Sequence, residues 1–212
     1  MVKDPAKNRL AIFVILVICL AAIYSSIVYY VMSPGPTQSF MGLGVFSHDG
    51  LSGYTPASNS TVHPGQTVNW TLSVTNRMGS AQFIMIIVRL ENASMTAPTS
   101  TTPSIGLPEI ATPHKFIGDG ETANVTFNWT INSASQSGKL VYLNLTVNGR
   151  QSQTSSSVGA VAGLDFRWVF ELWTYDLSFP CGDPLAPGCF HYGYGPQTSP
   201  TGCWLQVWFN VS

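Results

Sequence analysis

An all-β domain carried behind one N-terminal membrane-spanning helix is the architecture this sequence predicts, on three observations. One long apolar run lies near the N-terminus. Period-two alternation of apolar and polar residues recurs in several short segments after it. Turn-forming residues separate those segments, with no amphipathic helical pattern between them.

The apolar run comes first in the chain. Residues 10–32 read LAIFVILVICLAAIYSSIVYYVM, 23 residues without a charge. At 1.5 Å per residue they reach roughly 34 Å, enough for a hydrocarbon core of about 30 Å. Tyr24, Tyr29 and Tyr30 lie toward the far end, where amphipathic rings suit the headgroup layer. Ser33-Pro34-Gly35-Pro36 then stops the helix. Lys3, Lys7 and Arg9 precede the run and favour the cytoplasmic side. The expected layout is a cytoplasmic N-terminus (1–9), a transmembrane helix (10–32), a linker (33–39) and an extracellular domain (40–212). A cleaved signal peptide needs a shorter core and a small-x-small site, and residues 24–32 offer none. A processed pilin-like leader would want a Gly at the charged-to-apolar boundary, which is missing. The expectation is a single-pass protein of the cell membrane, with lipid as its first partner.

Only 9% of the 212 residues are charged, against about 25% in an ordinary soluble domain. Ser, Thr, Asn and Gly fill the gap. A surface so poor in charge needs another source of hydration, and attached glycans would supply it. No basic run or Lys/Arg stripe indicates a nucleic-acid partner.

The strands follow in order: 40–47, 68–74, 81–90, 122–131, 140–147, 164–175 and 203–211. In 68–74, Val68, Trp70, Leu72 and Val74 alternate with Asn69, Thr71 and Ser73. In 122–131, Val125, Phe127, Trp129 and Ile131 alternate with Asn124, Thr126, Asn128 and Thr130. In 140–147, Val141, Leu143, Leu145 and Val147 oppose Asn144 and Thr146. His63-Pro64-Gly65, Arg77-Met78-Gly79, Gly118-Asp119-Gly120, Ser137-Gly138 and Asn148-Gly149 mark turns. Residues 93–113, rich in Thr, Pro and Ser, read as a long loop, and 151–157 as a flexible tract. Seven or so short strands spaced by such turns indicate an immunoglobulin-like β-sandwich.

Seven Asn-x-Ser/Thr sequons occur, at Asn59, Asn69, Asn92, Asn124, Asn128, Asn144 and Asn210. Four of them fall on the polar faces of three expected strands. A buried Asn is out of reach of modification, so pattern and sequon support each other, and N-linked glycans are expected.

The order of features is similar to a known one. Gly50 to Tyr54 (Gly-x-x-Gly-Tyr) leads into Thr61-Val62-His63-Pro64-Gly65-Gln66-Thr67-Val68. A strand ending in Val74-Thr75-Asn76 follows, then Gly120-Glu121-Thr122, and Leu205-Gln206-Val207-Trp208-Phe209-Asn210-Val211 closes the pattern. Over roughly residues 40–212 this resembles an archaeal membrane-anchored family known as a domain of unknown function, number sixteen-sixteen. The insert at 177–202, with its cysteines, departs from that pattern. The family has no assigned activity; the resemblance implies an archaeal cell-surface setting.

Candidate chemistry is sparse. Cys19 lies in the apolar run as a small apolar residue. Cys181, Cys189 and Cys203 lie where disulfides persist. Cys181 and Cys189 flank a turn-rich loop and are the favoured pair, which leaves Cys203 free, bridged to another chain, or the true partner of one of them. A blue-copper site needs two His, a Cys and a weak axial ligand. Here His191 follows Cys189 but no Met follows Met95, and His48, His63 and His114 sit in separate segments. No metal or other cofactor is expected. Asp165, Glu171 and Asp176 share one strand region, and Glu171 reads as a strand charge facing water or pairing with Arg167. No nucleophile elbow, Ser/His/Asp set or paired-carboxylate motif stands out, so no catalytic residue is assigned.

The C-terminal strands carry more aromatic surface than one core requires. Phe166, Trp168, Phe170 and Leu172 share a face, while Val169, Trp173 and Tyr175 share the other with Arg167 and Glu171. In 203–211, Leu205, Val207, Phe209 and Val211 alternate with Trp204, Gln206, Trp208 and Asn210. Phe83 to Val88 is apolar on both faces. Either the insert at 177–202 folds over this face, or Trp173, Tyr175, Trp204 and Trp208 meet a protein partner or another copy, or the rings stack on sugars. The expected function is a non-catalytic surface glycoprotein acting as an accessory subunit of a membrane or envelope complex. The alternatives are a metal-binding or redox accessory domain, and a subunit of an extracellular filament or envelope lattice.

Overall fold

The computed structural model describes residues 5–32, 39–56, 59–105, 107–152, 157–176, 187–195 and 200–212. The chain divides into two compact units, Met1–Gln38 and Ser39–Ser212. In the first, helix α1 runs Pro5–Met32. It starts ahead of the apolar run because Pro suits a first helical turn, where its missing N–H costs no hydrogen bond. At 28 residues it is roughly 42 Å long. Its two serine hydroxyls donate within the helix, Ser25 to Ala21 O and Ser26 to Ala22 O, both at 2.8 Å. Its described side chains are those of 15–26, 28 and 29. Among the described residues no helix is long and apolar enough to cross a membrane, and the charge-free run of 10–32 extends past them at both ends. The linker expected at 33–39 lies outside the described residues except for Ser39.

The second unit is all-β. Its strands are β1 (Phe40–Phe46), β2 (Thr61–Val62), β3 (Thr67–Arg77), β4 (Gln82–Asn92), β5 (His114–Ile117), β6 (Thr122–Ser137), β7 (Leu140–Val147), β8 (Arg150–Gln151), β9 (Gly159–Val161), β10 (Phe166–Tyr175), β11 (Phe190–Tyr192) and β12 (Cys203–Val211). One sheet has the order β1-β3-β6-β7-β8, with β9 also on β7. The other has the order β2-β12-β10-β4-β5, with β11 also on β10. Among the named strands the pairings are antiparallel except β2 with β12.

The seven expected strands are present, and β2, β5, β8, β9 and β11 are additions of two to four residues. Strand β6 runs past the expected end at Ile131, because a register shift between Ile131 and Ser133 lets it keep pairing with β7 as far as Ser137. Gln151, expected in a flexible tract, belongs to β8. Asn148 and Gly149 have φ of 49° and 76°, the two positive values of a type I′ turn, which returns the chain directly along β7.

The sheets pack face to face through aromatic rings. Trp70, Phe127 and Trp129 from the first sheet meet Trp168, Phe170 and Phe209 from the second, and all six are at most 2% exposed. Ring centroids lie 5.1 Å apart for Phe127–Trp168, 5.5 Å for Trp129–Trp168, 6.1 Å for Trp70–Phe170 and 4.7 Å for Trp129–Phe209. Most of these contacts are edge-on or tilted, the arrangement ring quadrupoles favour. Buried Asn76 ties one end of the sandwich. Its Nδ2 donates to Ser80 O, Ile117 O and Gly118 O, and its Oδ1 accepts from Met78 N–H. Two turns are thereby fixed to one side chain.

Candidate functional site

Burying alternate residues of β3 and β6 sends the intervening ones to the outer face of the first sheet. The register sets them opposite one another as Thr67–Thr130, Asn69–Asn128, Thr71–Thr126, Ser73–Asn124 and Thr75–Thr122. Every member of these five pairs is polar and uncharged. The end pairs are joined hydroxyl to hydroxyl, at 2.8 Å for Thr67–Thr130 and 2.9 Å for Thr75–Thr122. Strand β1 sets Gly44 and Gly42 opposite Ser73 and Thr75, and the exposed Phe46 opposite Thr71, and β7 contributes Asn144 and Thr146. Asn69 and Asn124 are exposed on this face, while Asn128 and Asn144 are half-buried. The other three sequon asparagines lie elsewhere. Asn59 is exposed in a loop. Asn92 ends β4 and is engaged twice over. Its Nδ2 donates to Gly159 O at 2.6 Å, and its Oδ1 accepts from the Ser94 N–H and hydroxyl. Asn210 accepts from Asp165 N–H at 2.9 Å.

The outer face of the second sheet is built differently. The chain has 9 basic and 10 acidic residues, and two of each are buried here: Arg89, Glu91, Arg167 and Glu171, at 7%, 0%, 4% and 0% exposure. Arg167 is the cross-strand partner of Glu91. Its Nε and Nη2 donate to Glu91 Oε2 at 2.9 and 2.5 Å, its Nη2 also to Met95 O at 2.7 Å, and its Nη1 to Gln206 Oε1 at 3.1 Å. The guanidinium lies 5.0 Å from the centre of the Trp208 ring. Glu171 does not pair with Arg167, as the sequence suggested. It faces Arg89 Nε at 3.6 Å, accepts from Ser104 N–H at 2.5 Å and from Trp173 Nε1–H at 3.3 Å. Arg89 also reaches Glu109 at 3.5 Å and donates to Leu107 O. Burial pushes the Glu171 carboxyl above the usual carboxylate value, with the Ser104 hydrogen bond and the Arg89 charge acting against that shift.

Ser104 is the residue that joins these pairs, since its hydroxyl also donates to Glu91 Oε1 at 2.5 Å. The Thr/Pro/Ser-rich loop of 93–113 therefore lies over the sheet, held by both carboxylates. Tyr192 O–H to Thr99 O and Gly202 N–H to Ser100 O, each 2.6 Å, fasten the same loop to the insert. Arg89, Glu91 and Ser104 were not singled out from sequence. The available signal was one charge of each sign, two residues apart, inside a strand otherwise apolar on both faces.

The insert also covers part of this face. Phe190 and Cys189 join Met85 and Ile87 in a second apolar cluster, against which Phe83, Trp173 and Tyr175 pack. Phe190 stands 5.4 Å from Tyr175 and 5.6 Å from Phe83, and Tyr192 5.9 Å from Trp173. Trp173 and Tyr175 are accordingly part-buried, as is Trp204, while Trp208 keeps 38% of its surface. Thus much of the aromatic surplus is met within the chain. Cys189 is in a disulfide, and Cys19 and Cys203 are free. Cys181 lies outside the described residues, as does most of 177–202. Burial pushes the Cys203 thiol up to about 11.

No protein-family model and no curated protein matches the chain. Among solved structures, three of a β-glucosidase from Listeria innocua are similar to it, in complexes with glucose, gluconolactone and isofagomine. Sequence identities are 13%, 12% and 10%, and TM-scores 0.33, 0.34 and 0.30. The matches cover 82%, 84% and 82% of this chain but only 16%, 17% and 16% of that enzyme's.

The histidines do not converge among the described residues. His114 lies between Phe83 and Phe190, where burial holds its pKa below the ordinary value. His191 contacts Thr174 Oγ1 at 3.0 Å, His63 contacts Ser212 O at 3.0 Å, and His48 is exposed. No group of three or more His, Cys, Asp or Glu among the described residues is placed to hold a metal ion. Asp165 and Asp176 flank β10 at opposite ends, away from Glu171. An open cavity of about 520 Å³ lies within the loop, lined by uncharged residues including Thr96, Thr99, Thr102, Met95 and Leu107.

Proposed function

We propose that this chain is a non-catalytic glycoprotein of the cell surface, an accessory subunit of a membrane or envelope complex. In this reading α1 spans the membrane with Lys3, Lys7 and Arg9 inside, and an immunoglobulin-like sandwich stands outside. The observation that carries it is the outer face of the first sheet. Five cross-strand pairs without a charge include three sequon asparagines, with a fourth on β7. Such a face offers water hydroxyls and amides but no charge, and sugars on it would add to that hydration. The resemblance to an archaeal membrane-anchored family accords with this setting. A bridge between Cys181 and Cys189 belongs to the same reading, as an extracytoplasmic disulfide. The partner would meet what remains uncovered on β12, with Trp208 at its centre.

Glycopeptide mass spectrometry on the protein from its native membranes tests the proposal. Sugar is expected on at least one of Asn69, Asn124, Asn128 and Asn144, and a chain bare at every sequon would refute it. Purification in mild detergent tests the accessory role. A defined stoichiometric partner is expected, lost in Trp208→Ala, and a protein recovered alone and monomeric would overturn that part.

A further inference from the structure

Asn69 and Asn128 head two sequons that the fold sets face to face. They are register partners on β3 and β6, and both side chains leave the same face. Directly opposed residues of an antiparallel pair have Cβ atoms about 5 Å apart. Both sequons read Asn-Trp-Thr. Their central residues, Trp70 and Trp129, are 2% and 1% exposed and touch each other edge-on with centroids 5.5 Å apart. The Thr130 hydroxyl of the second sequon is bound to Thr67. Drawing either sequon out of the sheet would therefore expose a tryptophan from a shared core. A sugar reaching either asparagine would therefore have to arrive before β3 and β6 pair.

Neighbouring strands lie about 4.8 Å apart, close to the width of one pyranose ring. Two sugars rising from opposed positions would claim the same volume above the sheet. Other sequons on this face avoid the conflict. Asn124 lies four residues along β6 from Asn128, roughly 13 Å, and faces Ser73. Asn144 faces Ser133, beyond the register shift.

We infer that each folded molecule carries one glycan across the Asn69–Asn128 pair and leaves the other asparagine bare. This rests on reading the chain as an N-linked glycoprotein. The transfer joins the asparagine Nδ2 to the anomeric carbon of a lipid-phosphate-linked sugar donor. The amide loses one proton, and the lipid phosphate leaves with the electron pair of the broken C–O bond.

The test is site occupancy by glycopeptide mass spectrometry on the full chain from its native membranes, in wild type, Asn69→Gln and Asn128→Gln. In the wild type, occupancies at the two sites should sum to one. In each variant the remaining site should rise to full occupancy, while Asn124 is unchanged. A sum above one, or no rise in either variant, would overturn the inference, as would two bare sites beside occupied Asn59 or Asn124. A chain without sugar anywhere refutes the glycoprotein reading instead, so the two failures are distinguishable.

Discussion

Replacing Glu91 by Leu should unfold this domain far more readily than replacing Glu91 and Arg167 together. Glu91 is fully buried and takes two hydrogen bonds from Arg167 and one from Ser104. Removing it leaves a guanidinium, itself 4% exposed, with the Met95 carbonyl and the Gln206 amide oxygen as its remaining hydrogen-bond acceptors among the described residues. Breaking one side of a buried ion pair costs about 3–5 kcal/mol, whereas exchanging both partners for apolar groups is often neutral or stabilising. Glu91→Leu with Arg167→Met should therefore recover most of the loss. At an m-value of about 2 kcal/mol/M, the single variant lowers the urea midpoint by roughly 1.5–2.5 M. The assay is urea unfolding of the full chain in mild detergent, followed by tryptophan fluorescence. A double variant no more stable than Glu91→Leu would refute the reasoning, since it would mean the pair contributes packing and not compensation of charge.

Three further outcomes follow from the same structure. Burial raises the folded-state pKa of Glu171 above its ordinary 4.5, so its contribution is fully present below that value and declines as pH rises toward the folded pKa; Glu171→Gln should flatten this part of the pH dependence of the urea midpoint. With its thiol pushed up to about 11, Cys203 is ionised in roughly one molecule per thousand at pH 8, so iodoacetamide should leave it unmodified in the folded chain and alkylate it in urea. Gly193 has φ of 79°, and a Cβ there would lie 2.2 Å from Thr201 O; Gly193→Ala should cost about 1–3 kcal/mol, read as a lower urea midpoint, whereas Gly195→Ala, where a Cβ meets nothing within 4 Å, should cost less.

The long strands were legible because each repeats its alternation over enough residues to be unmistakable. Trp70 and Asn69, or Trp129 and Asn128, already declare opposite faces. Strands of two to four residues have too few positions to show a period, and β2, β5, β8, β9 and β11 were missed for that reason. The ionic cluster was hidden for another. Arg89 and Glu171 are 82 positions apart, and only the adjacency of β4 and β10 brings them within 3.6 Å. Opposed charges on two strands say that they are complementary, but the register must be known before Arg167 can be given to Glu91. Trp173 and Tyr175 show the remaining limit. Their apolar character is evident in sequence, and the insert at 177–202 is one of the covers it suggests, but that Phe190 meets Tyr175 and Tyr192 meets Trp173 is set in a segment with no periodic pattern.

The ten side chains of the β3–β6 face also determine how that surface behaves in its medium. None of them titrates, and none carries a charge for counterions to screen. Coulomb attraction by these ten side chains contributes nothing to a contact made on this patch, so screening by salt takes nothing from their share of it. What the patch offers a neighbour is hydrogen-bonding geometry alone, hydroxyls and amides held in register by the two strands.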